Sequence, residues 1–165
     1  MVILWDAQTG ERLNTFEGHD GETQFAIYIN EYKVVSGDRD GILLTWDPDT
    51  LDVLITNHDY QNEIRGIDIA PWSSEIATSA GYVSRIWNEE DGTLNSVNSI
   101  GREYAQNVAF VDDERILVGG TGHVYLKNLE TGDLLQTYNT STLAQGLDVS
   151  PDGQTFLVAG QYTNE

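Results

Sequence analysis

The side chains best suited to acid–base work near neutrality are three histidines, His19, His58 and His123, and the chain holds no cysteine. Without a thiol, no disulfide, thiolate metal site or cysteine nucleophile is open to it. His19 is followed by Ser36 and Asp40, which are the residue types of an acyl-transfer triad. A nucleophilic serine needs a sharp turn such as Gly-x-Ser-x-Gly to expose it, and no such motif occurs. The runs Glu89-Glu90-Asp91 and Asp112-Asp113-Glu114 offer hard oxygen ligands, but neither has the alternating spacing of a dedicated calcium loop. The sequence therefore assigns no catalytic residue, no metal ligand and no cofactor. What remains is to ask which elements hold these residues.

Three tryptophans set the frame. Trp5, Trp46 and Trp87 lie 41 residues apart, opening Trp5-Asp6, Trp46-Asp47 and Trp87-Asn88, and Lys127-Asn128 stands 40 residues further on. A period near 40 marks an array whose unit is one supersecondary element. Aligning the copies gives four short runs per unit. The first alternates: Ala26-Ile27-Tyr28-Ile29, Gly66-Ile67-Asp68-Ile69, Asn107-Val108-Ala109-Phe110 and Gly146-Leu147-Asp148-Val149. Alternation at period two places one face of a strand against a neighbour. Polar turns such as Ser150-Pro151-Asp152-Gly153 follow, where proline and glycine suit a tight turn. A second run (Lys33-Val34-Val35-Ser36-Gly37), a third carrying the tryptophan and a fourth after an acidic turn complete the unit. No helical period is sustained, so the chain reads as all-β.

Such a four-stranded unit is apolar on both faces and cannot bury them alone; radial stacking of units does so and leaves only short edges. The Trp-Asp pairs, the Gly18-His19 ahead of them and the near-40 period resemble the WD-repeat (WD40) family along essentially the whole chain. The resemblance implies a β-propeller of four-stranded antiparallel blades, about four blades' worth over residues 1–165. The expected parts are a half-blade at 1–17, blades at about 23–56, 64–97 and 105–138, and a half-blade at 144–160. It also implies a buried hydrogen-bonded tetrad in the first full copy, His19, Ser36, Asp40 and Trp46. That assigns the His-Ser-Asp set to structure, since buried polar networks fix folds far more often than they perform chemistry. Later copies decay. The second keeps His58 and Trp87 with Gly81 at the aspartate's place, and the third has no tryptophan. His123 falls in a third run and reads as a strand residue.

In a propeller the loops gather on two faces. The turns after Trp-Asp and after the first run hold 16 of the 27 acids, which suits solvation more than recognition. The other face is less acidic and more aromatic. Phe25, Arg65, Gln106 and Gln145 stand at equivalent places ahead of the first runs, with Gln24, Arg39, Tyr60, Asn62, Tyr82, Arg102 and Tyr104 nearby. Aromatic residues and arginine carry interface energy out of proportion to their number, and the family docks partners on this rim. The expected function is therefore a non-catalytic scaffold that binds another protein or peptide. The competing expectation is a propeller-type enzyme or small-ligand binder of the quinoprotein kind, which would need a convergent acid, base or metal cluster in the channel.

Charge narrows the partners. With 27 acids against 8 bases the net charge is −19, so nucleic acid and anionic membranes are repelled. An acidic, lysine-poor surface also fits high-salt conditions, where screening removes the self-repulsion. No apolar run approaches a membrane span and no secretory signal follows Met1, which points to the cytoplasm. The two half-blades point to a fragment of a longer propeller, to a chain that closes alone by pairing Val2 to Phe16 with Gly146 to Ala159 in one shared blade, or to a homodimer that closes an eight-bladed ring by exchanging ends, which is favoured because the exchange hides both open edges.

Overall fold

The computed structural model describes residues 1–58, 62–99 and 104–162. Those residues form fifteen strands and no helix. Contacts divide the chain into two compact units, Met1–Ile64 and Arg65–Glu165.

In the first unit, β1 (Val2–Trp5) and β2 (Arg12–Phe16) form a two-stranded antiparallel sheet. The strands β3 (Thr23–Asn30), β4 (Lys33–Asp38), β5 (Leu43–Trp46) and β6 (Val53–Asn57) form a four-stranded antiparallel sheet in chain order. Burial follows position. The inner strands β4 and β5 are covered on both faces, while β3 alternates and exposes Gln24, Ala26, Tyr28 and Asn30. Trp46 is wholly buried, stacked on Phe16 at 4.1 Å between ring centres with 4° between planes. Val34, Leu44, Val2 and Leu4 complete this core, so the small sheet lies against the larger one. Burying an indole and its aliphatic neighbours supplies the largest favourable term here, roughly 1.5–3 kcal/mol per large side chain.

In the second unit, β7 (Ile64–Ile69, starting one residue before the unit boundary), β8 (Glu75–Ala80), β9 (Val83–Asn88) and β10 (Leu94–Ser99) form another four-stranded sheet. The remaining strands are β11 (Asn107–Phe110), β12 (Arg115–Gly119), β13 (Thr121–Asn128), β14 (Leu134–Val149) and β15 (Phe156–Tyr162), in one five-stranded sheet. Two cores hold the unit together. Ala77 and Ile86 meet Val108, Phe110, Ile116 and Val118 in one, and Leu117, Val124, Leu126 and Ala144 meet Leu147, Phe156 and Val158 in the other. Sheets pack face to face, as amphipathic four-stranded units require. Gly66 marks a close approach of β7 to β11: a Cβ there would lie 2.7 Å from the Asn107 Cα.

One strand differs from expectation. The runs Leu134–Tyr138 and Gly146–Val149 read as two strands with a break, yet β14 is continuous over 16 residues. It pairs with β13 through Asn139 and, past an irregularity, again at Leu143, which faces Thr121; from Thr142 it also pairs with β15. The linking segment Asn139-Thr140-Ser141-Thr142 has no proline or glycine to end a strand, and its threonines favour extended backbone. Ser141 lies in that irregular stretch between Asn139 and Leu143 and takes a left-handed φ of 51°.

The turn after the third run of each repeat, which follows Trp5, Trp46, Trp87 and Lys127, is built the same way four times. The residue after Trp5 and Trp46 accepts backbone N–H groups on its side-chain oxygen, from Gln8 and Thr9 to Asp6 and from Asp49 and Thr50 to Asp47. Asn88 and Asn128 do the same for Glu90 and Thr131. Those donated bonds hold the exposed Asp6 carboxyl below the usual carboxylate range. Asparagine thus replaces aspartate without loss of the turn, which explains why the Trp-Asp pair weakens in later copies. Four residues on, Gly10, Leu51, Gly92 and Gly132 each return an N–H to that residue's carbonyl with positive φ; only Leu51 does so with a side chain.

Candidate functional site

The polar cluster of the first repeat comes together between the segment preceding β3 and the β4–β5 hairpin. His19 Nδ1 lies 2.9 Å from Asp38 Oδ2, its Nε2 lies 2.7 Å from Ser36 Oγ, and Trp46 Nε1 donates to Ser36 Oγ at 3.0 Å. The carboxylate is Asp38, which corrects the expectation of Asp40. Ser36 and Asp38 are two apart on β4 and share its face, whereas Asp40 sits in the hairpin turn and is exposed. Asp38 Oδ1 also accepts the N–H groups of Asp40 and Ile42, so one side chain closes the turn and orients the imidazole. Since Ser36 Oγ accepts from the indole, its own O–H is left to donate to His19 Nε2, and His19 Nδ1–H donates to Asp38. Every polar atom is satisfied, and Ser36 and Asp38 are at 0% exposure. An acyl-transfer serine requires access for a substrate carbonyl, which this buried hydroxyl lacks.

The other repeats keep parts of the pattern. Trp87 Nε1 donates to Thr78 Oγ1 at 2.7 Å, the same indole–hydroxyl pair, while His58 is exposed. In the third repeat Lys127 stands at the tryptophan's place opposite Ile116, and Val118 replaces the hydroxyl. Lys127 is buried, and burial pushes its amine below the ordinary value against the opposing pull of Asp133. His123 lies on β13, its ring stacked near Tyr125.

The residues expected to face a partner divide between the units. In the first, Gln24 and Asn62 are exposed, and Phe25 covers Gly37, where a Cβ would meet its ring at 2.6 Å. Arg39 is engaged by two carboxylates, Glu22 at 2.6 Å and Glu63 at 3.1 Å. In the second unit four expected residues meet. Arg65 donates through Nη1 to Gln106 Oε1 at 2.7 Å, and its guanidinium carbon lies 5.7 Å from the Tyr104 ring centre. Tyr104 packs on Tyr82 with ring centres 4.5 Å apart, and a hydrogen bond with Tyr104 pushes the Tyr82 phenol up. Both tyrosines remain 40% or more exposed. Gln145 is exposed, and its carbonyl accepts Asn107 Nδ2 at 2.8 Å. Tyr60 and Arg102 lie outside the described residues.

Residue reasoning missed Asp68. Its Oδ2 accepts Phe110 N–H at 2.8 Å, joining β7 to β11, and its Oδ1 accepts Ile69 N–H at 2.9 Å. Burial pushes its carboxyl up, partly opposed by those two bonds, and the nearby Asp148 adds to the rise. A charged residue in the middle of an alternating apolar run was the available signal. Among the described residues no three histidine, aspartate or glutamate side chains converge as metal ligands. No helix there is long and apolar enough to cross a membrane, which does not bear on a β-barrel.

No family model matches the sequence, and no curated protein matches it either. The fold does have counterparts among solved structures. A chain of a structure titled "Crystal Structure of Mitotic Checkpoint Complex" is similar over 92% of this chain, with a TM-score of 0.82 and 16% sequence identity. At that identity the likeness shows the fold alone, an all-β, propeller-like fold. This chain spans 50% of the length of that neighbour.

Proposed function

We propose that this chain is a non-catalytic scaffold of the WD-repeat propeller kind, and that it binds another protein or peptide through the surface formed by Arg65, Tyr82, Tyr104 and Gln106. The observation that carries this reading is the Arg65 guanidinium, bonded to Gln106 and lying over Tyr104, which is itself packed on the exposed Tyr82. Such a surface loses little side-chain entropy when covered, and it is rich in the residue types that dominate binding energy. A neighbour of similar fold drawn from a protein complex fits the same reading. Capture of partners on immobilised wild-type and R65A/Y104A chains tests it. The variant, folded by circular dichroism, is expected to recover at least about tenfold less of the specifically bound protein, as loss of two hot-spot side chains implies. Unchanged recovery overturns the surface.

A finer reading concerns assembly in the cytoplasm. The open edges of β1 and β15 suit a second copy that completes one four-stranded blade from both and so closes an eight-bladed ring. Leu157 on β15 is 73% exposed, whereas Leu117 at the same repeat position is 2% exposed; Trp5 is 58% exposed against 0% for Trp46. Light scattering is expected to give twice the 18.3 kDa chain mass, and a monomer at all concentrations contradicts it.

A further inference from the structure

A cleft of about 230 Å³ opens at the other end of β7, β11 and β14 from the Arg65 cluster. Pro71, Trp72, Phe110 and Pro151 form part of its wall beside the polar Ser150, and its two charged lining groups are Asp68 and Asp148. Trp72 is half exposed and sets its ring edge-on to Phe110 at 6.1 Å. The sequence builds this cleft twice over. Asp68-Ile69-Ala70-Pro71 recurs two repeats later as Asp148-Val149-Ser150-Pro151, and the intervening repeat has Ala109 in place of the aspartate. The two carboxylates thus flank Phe110 from either side in the repeat order, and no lining residue carries positive charge.

Asp68 is half-buried, and the nearby carboxylate of the exposed Asp148 adds to the cost of ionising it. The backbone bonds from Phe110 and Ile69 meet only part of the acceptor capacity of Asp68. A cation with a hydrocarbon stem answers both features at once. Its head neutralises the carboxylates, its methylenes replace water on the prolines, and an aromatic face attracts it further. We propose that this cleft receives a lysine or arginine side chain of a basic peptide, its cationic head between Asp68 and Asp148 and its stem against Pro71, Trp72 and Pro151. The site is separate from the Arg65 surface, and it adds to the scaffold reading a preference for partners with an exposed basic side chain. The chain's net charge of −19 raises the local concentration of such partners, while the cleft selects where they seat.

The test follows the Trp72 indole N–H by NMR, assigned through its loss in W72F, at physiological ionic strength. Acetylated tripeptide amides of sequence Gly-Lys-Gly and Gly-Arg-Gly are titrated, with Gly-norleucine-Gly as the uncharged control. A saturable shift with either basic peptide and none with norleucine is expected. Binding weakens about tenfold or more in D68N/D148N and is unchanged in E114Q/E130Q, which removes equal charge outside the cleft. R65A/Y104A retains the shift even if it loses partner capture, so the two sites fail independently. An absent Trp72 shift, an equal response to norleucine, or equal weakening in both charge variants overturns the proposal; the last would mean attraction by the overall field alone.

Discussion

At the scale of single residues, the polar tetrad shows how much one carboxylate position matters. Asp38 holds His19 and two part-buried backbone N–H groups, so its removal strands the buried imidazole donor, at a cost of about 1–3 kcal/mol, and loosens the turn as well. D38A is expected to lower unfolding stability by about 2–3 kcal/mol in denaturant titration, and D40A to stay within about 0.5 kcal/mol. A reversed order of the two would return the role to Asp40. The tryptophan was legible from its spacing, and the serine from what the WD-repeat resemblance implies. The aspartate was not, because Asp38 and Asp40 bracket the same turn, and only the strand's alternation tells which side chain faces inward. Asp68 carries a pH signature. Its folded-state pKa is raised by burial, so the stability it contributes is present below the unfolded carboxylate range and is lost as pH rises through the folded value. Asparagine keeps an oxygen for the Phe110 N–H. D68N is therefore expected to match wild type near pH ~3 and to exceed it in melting temperature toward pH ~7. A gap that closes as pH rises contradicts this.

At the scale of elements, strand type was readable nearly throughout, because alternation and β-branching report a pleated, half-buried surface. Pairing was harder. Nothing in the local pattern of β14 says that a single strand pairs with both β13 and β15, since that depends on two hairpins meeting. Ser141 lies in the irregular stretch of that strand in a left-handed conformation, which costs an L-residue roughly 1–2 kcal/mol. S141G is expected to raise stability by up to about 1 kcal/mol, the relieved strain being offset in part by greater freedom of the unfolded chain. A clear loss on thermal melting would mean that the bond from the serine hydroxyl to Asn139 outweighs the strain. The aromatic cluster on the loop side was also only partly legible. Arg65, Tyr82, Tyr104 and Gln106 were singled out by type and repeat position. That Tyr82 and Tyr104 pack together with Arg65 follows from how the turns approach one another, which spacing along the chain does not encode.

At the scale of the whole molecule, a repeat near 40 residues and a net charge of −19 dominate behaviour. Self-repulsion among 27 acids is strong in dilute buffer and falls as the Debye length shortens to ~3 Å at 1 M salt. Melting temperature is accordingly expected to climb between 0.05 and 2 M potassium chloride, and a flat profile would remove the reading of a salt-adapted surface. The central claim is that a rigid all-β frame presents one ordered aromatic–arginine surface to a protein partner. Hydrogen–deuterium exchange on the complex with a captured partner tests it most directly. The account predicts new protection at the starts of β7 and β11 and at the β8–β9 turn, around Arg65, Gln106 and Tyr82. Protection confined to other parts of the chain, with these amides unchanged, would contradict it.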